Sequence, residues 1–272
     1  MKYKMICCDL DDTLLNSERS YSPALKESVA RYVDAGGKFV IVTGRMTAGA
    51  IPIAKDLGLH GEILTFQSAV IADIDTGVII DSKIINSKDA AEVCAYLESR
   101  GYYFHTYVDD YFITRAANEF TRMYSVISLA GYKETVIPVS EYLLKNDISV
   151  PKILICEKEE KIPAILREVQ GIFSDRFLVN TSKPWLVEIV PKEINKGLGV
   201  KRLAEKYNIG REEIICIGDS NNDIEMLKAA GLAVVVENGF PDAKKFADVI
   251  APSSDDNGVG WVIENLAMSS NK

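Results

Sequence analysis

The chain has 272 residues, 47% hydrophobic and 26% charged, enough for one large domain or two modest ones; this excludes a disulfide-stapled miniprotein and wholesale disorder. Its formal charge is −8, from 31 basic and 39 acidic residues without a dense Lys/Arg block, which argues against a nucleic-acid partner but not against a small anion held by local donors. The Met5 to Cys8 run is too short for a signal segment and no stretch nears the roughly 18 apolar residues of a membrane helix, so a soluble, cytoplasmic protein with no membrane partner is expected.

In chain order, the apolar run Met5 to Cys8 predicts a buried strand that ends on the acidic stretch Asp9 to Thr13. Ser22-Pro23 opens a helix with Leu25, Val29, Tyr32 and Val33 on one face, and Gly36-Gly37 ends it. A β-branched run from Phe39 to Val42 stops at Thr43-Gly44-Arg45, and Glu62 to Phe66 is a further strand, so buried parallel strands with crossover helices are expected.

Between about Asp81 and Glu188 the texture changes. An aromatic hairpin is predicted over Tyr102 to Thr114, turning at Asp109-Asp110; one helix presents Ala90, Val93, Cys94 and Leu97, another Ile162, Ile165, Leu166 and Val169. The aromatics Tyr102, Tyr103, Phe104, Tyr107, Tyr111 and Phe112 read first as strand residues and only second as a sugar-stacking surface. Ser182, Lys183 and Trp185, near the end of this region, are given no role. After Pro191 the first texture returns: a helix with Val200, Leu203, Ala204 and Tyr207 on one face, a strand Ile214 to Ile217 running into Gly218-Asp219, then Ala233 to Val236. The polar tail Met268 to Lys272 is expected to fray. The expected fold is α/β, a doubly wound parallel-sheet core formed by residues 1–82 and 189–272, with an inserted α+β domain over 83–188.

The five cysteines, Cys7, Cys8, Cys94, Cys156 and Cys216, are odd in number and form no C-x-x-C pair, so they read as reduced core residues. Neither His60 nor His105 lies in a catalytic pattern, and no complete glycine-rich nucleotide loop occurs. Catalysis, if present, must then use carboxylates, lysine or metal. In open parallel sheets ligands gather at the carboxyl ends of strands, which here carry Asp9 to Thr13, Thr43 to Arg45 and Asp219 to Asp223. The two-residue spacing of Asp9 and Asp11 puts both carboxylates on one side of an extended chain, where repulsion raises a pKa unless a hard metal ion intervenes. Asp12-Thr13 and Asp219-Ser220 also suit turns and helix caps, but two acidic clusters ending two neighbouring strands favour a site. Lys196 opens a helix, where a cation opposes the macrodipole by about 0.3 to 1 kcal/mol and gains from a nearby anion.

Asp9-Leu10-Asp11-Asp12-Thr13, Val42-Thr43-Gly44-Arg45, Asn195-Lys196-Gly197 and Gly218-Asp219-Ser220-Asn221-Asn222-Asp223 together resemble, in order and spacing, the four motifs of the haloacid dehalogenase superfamily. The insert between the second and third resembles the type IIB cap of its Cof-like sugar-phosphate phosphatases. The resemblance implies a phosphatase in which Asp9 is the nucleophile and Asp11 the general acid and base. It further implies Mg2+ held by Asp9, the Asp11 carbonyl and Asp219, with Asp223 orienting that shell, and phosphate bound by the Thr43 hydroxyl, the Leu10 and Gly44 N–H groups, Lys196 and Asn222. The implied partner is a small phosphorylated metabolite.

One departure stands out: where many relatives carry Asn-Gly in the segment like Thr65 to Ala69, this chain has Gln67-Ser68. The alternatives are a phosphomutase of the same cap type, a non-catalytic phosphate-binding module and, at greater distance, a receiver-like signalling module, which lacks such an insert.

Overall fold

The protein is described by a computed structural model covering residues 2–128, 130–181 and 183–269, so Ser182 and positions 270–272 of the tail lie outside the described residues. The chain divides into two compact units. One comprises the residues through Gly44, Ala50–Ile80 and everything from Asn195 onward; the other comprises Arg45–Gly49 and Asp81–Ile194.

In the first unit Met5–Cys8 is buried at every position, as expected of an apolar strand covered on both faces. It lies inside a five-stranded parallel sheet whose order is Val249–Ala251, Leu232–Val236, Ile214–Gly218, Met5–Cys8, Lys38–Ile41. From the first strand the chain steps to one side, Cys8 pairing with Ile41, and much later returns on the other side, where Cys8 pairs with Ile217. The strand order therefore reverses between Met5–Cys8 and Ile214–Gly218, the place where open α/β sheets leave a crevice at the strand ends.

Local chemistry starts and stops the helices as predicted. Ser22 caps Pro23–Asp34, its Oγ accepting from the Leu25 N–H at 3.1 Å, and Gly36 takes a φ of 91° after the last turn. The helices Lys196–Tyr207 and Ile224–Ala229 bury Val200, Leu203, Met226 and Leu227 against Met5, Cys7, Ile214 and Cys216. All five cysteines are buried and unbridged.

One expectation is corrected. Glu62–Thr65 pairs antiparallel with Val70–Asp73 in a separate three-stranded sheet, and its parallel contact is a single bridge from Leu64 to Val42. Too few residues separate the two strands for a crossover, so they must run in opposite directions.

The second unit is α+β. Its six-stranded sheet has the order Phe177–Asn180, Leu186–Pro191, Ile153–Cys156, Phe104–Val108, Tyr111–Thr114, Gly131–Glu134. The predicted hairpin is present, with Asp109 in its turn at φ 51°. Helices Ser87–Ser99, Val139–Lys145 and Ile162–Phe173 bury the predicted Ala90, Val93, Cys94, Leu97, Ile162, Ile165 and Val169 against one face of that sheet. Phe104, Tyr107 and Phe112 are buried, in keeping with their reading as strand residues. His105 is also fully buried, and that burial, with Lys152 second, holds its pKa down to about 3; it is a neutral core residue. His60 is exposed and meets Asp75 at 2.7 Å. Among the described residues no helix is long and apolar enough to cross a membrane.

Candidate active site

Two strand ends supply the acidic groups. Asp9 follows Met5–Cys8, its N–H continuing the ladder to the Ile217 carbonyl at 2.9 Å, and Asp219 follows Ile214–Gly218 on the neighbouring strand. Beyond Asp219 the chain folds back on itself: Asp223 Oδ2 accepts from the Asp219 and Ser220 N–H groups, both at 3.0 Å. Gly218 makes that return possible, because a Cβ there would lie 2.6 Å from the Asp223 side chain. Asp9, Asp219 and Asp223, all buried, present oxygens within 4.8 Å of one another.

The third component comes from a helix start. Asn195 caps Lys196–Tyr207, its Oδ1 accepting from the Leu198 N–H at 2.9 Å, and so holds Lys196 at the first helical position. Lys196 is fully buried and donates to Asp9 Oδ1 at 2.5 Å and to Asp223 Oδ1 at 2.6 Å. The cation that opposes its own helix is thus balanced by carboxylates. Burial alone would depress its pKa, but Asp223 and Asp9 outweigh burial and hold it above the ordinary lysine value.

Three carboxyl groups share one ammonium, so ionising all three would leave two negative charges uncompensated. The consequence appears in the pKa values. Asp9 is raised well above the carboxylate range, first by burial and against the pull of Lys196, with Asp223 and Asp219 adding to the rise. Asp219 is pushed up to about 6, again by burial first and Asp223 second. Hard carboxylate oxygens that repel one another in a buried pocket fit a divalent hard cation.

That fit carries a pH signature. Because the folded pKa of Asp219 lies above its unfolded value, the stability it contributes is present below about pH 4 and is lost as pH rises through about 6. The expected loss in metal-free protein is of the order of 1 to 3 kcal/mol between pH 4 and 7, and a divalent cation should restore it. Thermal unfolding in chelator and in Mg2+ should show a larger metal-induced rise at pH 8 than at pH 5; equal rises at both would contradict this account.

The remaining predicted residues surround the trio unevenly. Thr13 is buried and donates to Asp219 Oδ1 at 3.0 Å, a partnership that its reading as a cap residue did not anticipate. Asp11, expected beside Asp9, lies outside the trio and is half-buried: Leu10–Leu14 is coiled, with Asp12 at φ 59° and the Leu15 N–H closing back on the Leu10 carbonyl at 2.8 Å. Leu10 is buried. Thr43 is buried, its N–H donating to the Leu64 carbonyl at 2.8 Å, and Gly44 follows it. Asn222 is exposed and meets the side chains of Ser220 and Gln67.

A family model described as haloacid dehalogenase-like hydrolase matches residues 6–263. Phosphatase YwpJ of Bacillus subtilis is 29% identical over 287 residues, covering 97% of this chain and 99% of its own. The 5-amino-6-(5-phospho-D-ribitylamino)uracil phosphatase YwtE of the same organism is 29% identical over 286 residues, covering 97% and 98%. Among solved structures, a haloacid dehalogenase-like hydrolase from Bacteroides thetaiotaomicron superposes with a TM-score of 0.87 at 28% identity, covering 97% of this chain and 99% of that one. TM0651 from Thermotoga maritima gives 0.88 at 26% identity, covering 99% and 98%. The match takes in both parts of the discontinuous sheet unit together with the insert, so this chain is an enzyme of the haloacid dehalogenase-like hydrolase family.

Proposed function

We propose that this hydrolase is a magnesium-dependent phosphatase of small phosphorylated metabolites, sugar phosphates in particular, working through an aspartyl phosphate. The observation that carries the reading is the buried Asp9 carboxylate, pinned by Lys196 beside Asp219 at the reversal point of the sheet. The names of YwpJ and YwtE, the latter a phosphatase of a phosphorylated ribityl compound, support the same class.

In the first step an oxygen of Asp9 attacks phosphorus as the ester P–O bond breaks, and Asp11 gives its proton to the departing alkoxide. In the second, water attacks the phosphorus of the aspartyl phosphate and gives a proton to Asp11, releasing inorganic phosphate and restoring both carboxyl groups. Thr43, the Leu10 and Gly44 N–H groups, Lys196 and Asn222 bind the phosphoryl oxygens. Lys196 also keeps Asp9 aimed, through its 2.5 Å contact. Mg2+ would be held by Asp9, the Asp11 carbonyl and Asp219, and when bound it supplies positive charge that offsets the carboxylates and the phosphoryl oxygens. Asp223, with Oδ1 on Lys196 and Oδ2 on two backbone N–H groups, orients that shell. Residues 83–188 are read as the substrate-selecting cap on a core of 1–82 and 189–272.

The test is phosphate release from a broad panel of phosphomonoesters in Mg2+ and in chelator. Release that needs Mg2+ and favours sugar phosphates is expected. No release from any ester, equal release in chelator, or transfer to a second sugar hydroxyl instead of water would overturn the reading.

A further inference from the structure

Between Glu62–Thr65 and Val70–Asp73 three successive non-glycine residues occupy the left-handed region: Phe66 at φ 50°, Gln67 at 59° and Ser68 at 72°. Side chains disfavour this conformation, and such strain persists only where the surroundings hold it, often beside a functional site. Phe66 and Ser68 are buried, whereas the Gln67 side chain is only half-buried and meets neighbours from two other loops.

Its backbone N–H donates to the Thr43 carbonyl at 3.0 Å. Its carboxamide lies over Gly44 so closely that a Cβ at Gly44 would be 2.6 Å from Nε2. Its Oε1 accepts from Asn222 Nδ2 at 3.4 Å, while the Asn222 oxygen accepts from Ser220 Oγ. The Asn222 amide is therefore held at both ends, its oxygen by Ser220 and its nitrogen by Gln67.

We propose that Gln67 is a positioning residue of the phosphate-binding end of the site, holding the Asn222 carboxamide and the Thr43-Gly44 turn in place before substrate arrives. The inference rests on the reading of Thr43, Gly44 and Asn222 as phosphate ligands. Where a shorter side chain would leave this gap open, the longer glutamine bridges it, and the left-handed turn aims the amide across it.

The test uses the full chain in Mg2+, with two readouts: the Kd of inorganic phosphate by calorimetry, and KM against kcat for the best ester of the panel. Gln67→Leu keeps the bulk and removes both amide functions. Loss of one hydrogen-bonded contact predicts a KM and a phosphate Kd raised about three- to tenfold, with kcat within about twofold and the melting temperature unchanged. Asn222→Ala removes a phosphate ligand as well as the contact to Gln67, so it should weaken phosphate binding more than Gln67→Leu does, and in its background Gln67→Leu should add less than it costs alone. Should the leucine variant fold poorly, Gln67→Gly, which suits the positive φ, should still show the raised Kd and KM. Wild-type phosphate Kd and KM in these variants, or multiplicative losses in the double, would overturn the inference while Mg2+-dependent turnover by the wild type left the underlying reading intact. Absence of both phosphate binding and turnover in the wild type would overturn both.

Discussion

Asp9→Asn is expected to end phosphate release while leaving the protein folded and no less stable. Loss of a covalent nucleophile lowers turnover by about 10^4-fold or more, equivalent to about 5.5 kcal/mol of barrier. An ordinary buried-charge deletion would also cost stability, but the sign differs here. The pKa of Asp9 is raised in the folded state, chiefly by burial, so the metal-free fold already favours an uncharged group at this position. The amide is neutral and keeps an oxygen to accept from Lys196. Phosphate-release assays paired with melting curves in chelator at pH 7.5 check both halves. Residual activity near the wild-type level would remove Asp9 from the nucleophile role, and a collapsed fold would show that its charge is structural.

Much of this arrangement is legible in the amino-acid sequence. Strands such as Met5–Cys8 and Ile214–Gly218, buried on both faces, announce themselves as short apolar runs, and each stops at the acidic residue that the sheet then presents at its carboxyl end. Lys196 is legible because a cation at a helix start needs an anion, and the fold supplies Asp9 and Asp223. What stays hidden depends on turns and on distant partners. The Asp9–Asp11 spacing points to a local carboxylate pair, whereas the coil at Leu10–Leu14 leaves the grouping to Asp9, Asp219 and Asp223, the last two far along the chain from the first. The turn at Phe66–Ser68 contains no glycine or asparagine, the residues that ordinarily mark a positive φ, so only tertiary contacts reveal it. The buried Lys152–Glu188 pair, 3.5 Å apart in the insert, is likewise visible only once the sheet order is known.

Lys196→Met should be the most destabilising single change in the site. The methionine fills a similar volume, so packing is nearly retained and the loss is electrostatic. Breaking a buried ion pair by removing one partner costs about 3 to 5 kcal/mol, because the other charge stays buried and unpaired. Here the remaining groups are three carboxylates that already repel one another, with Asp9 and Asp223 both losing their contact to the ammonium. The pH dependence has a definite sign. Without the cation the pKa values of Asp9 and Asp219, which Lys196 holds down, rise further, so the variant recovers stability on acidification, as protons replace the missing charge, and loses it as pH rises. Urea unfolding in chelator should therefore separate variant from wild type more widely at pH 8 than at pH 5.5, and Mg2+ should narrow the gap at pH 8. Turnover should fall as well, since the same ammonium aims Asp9 and meets the phosphoryl oxygens. A variant as stable as the wild type at pH 8 in chelator would mean that the carboxylates are held apart by something other than Lys196, and the electrostatic account of the site would fail.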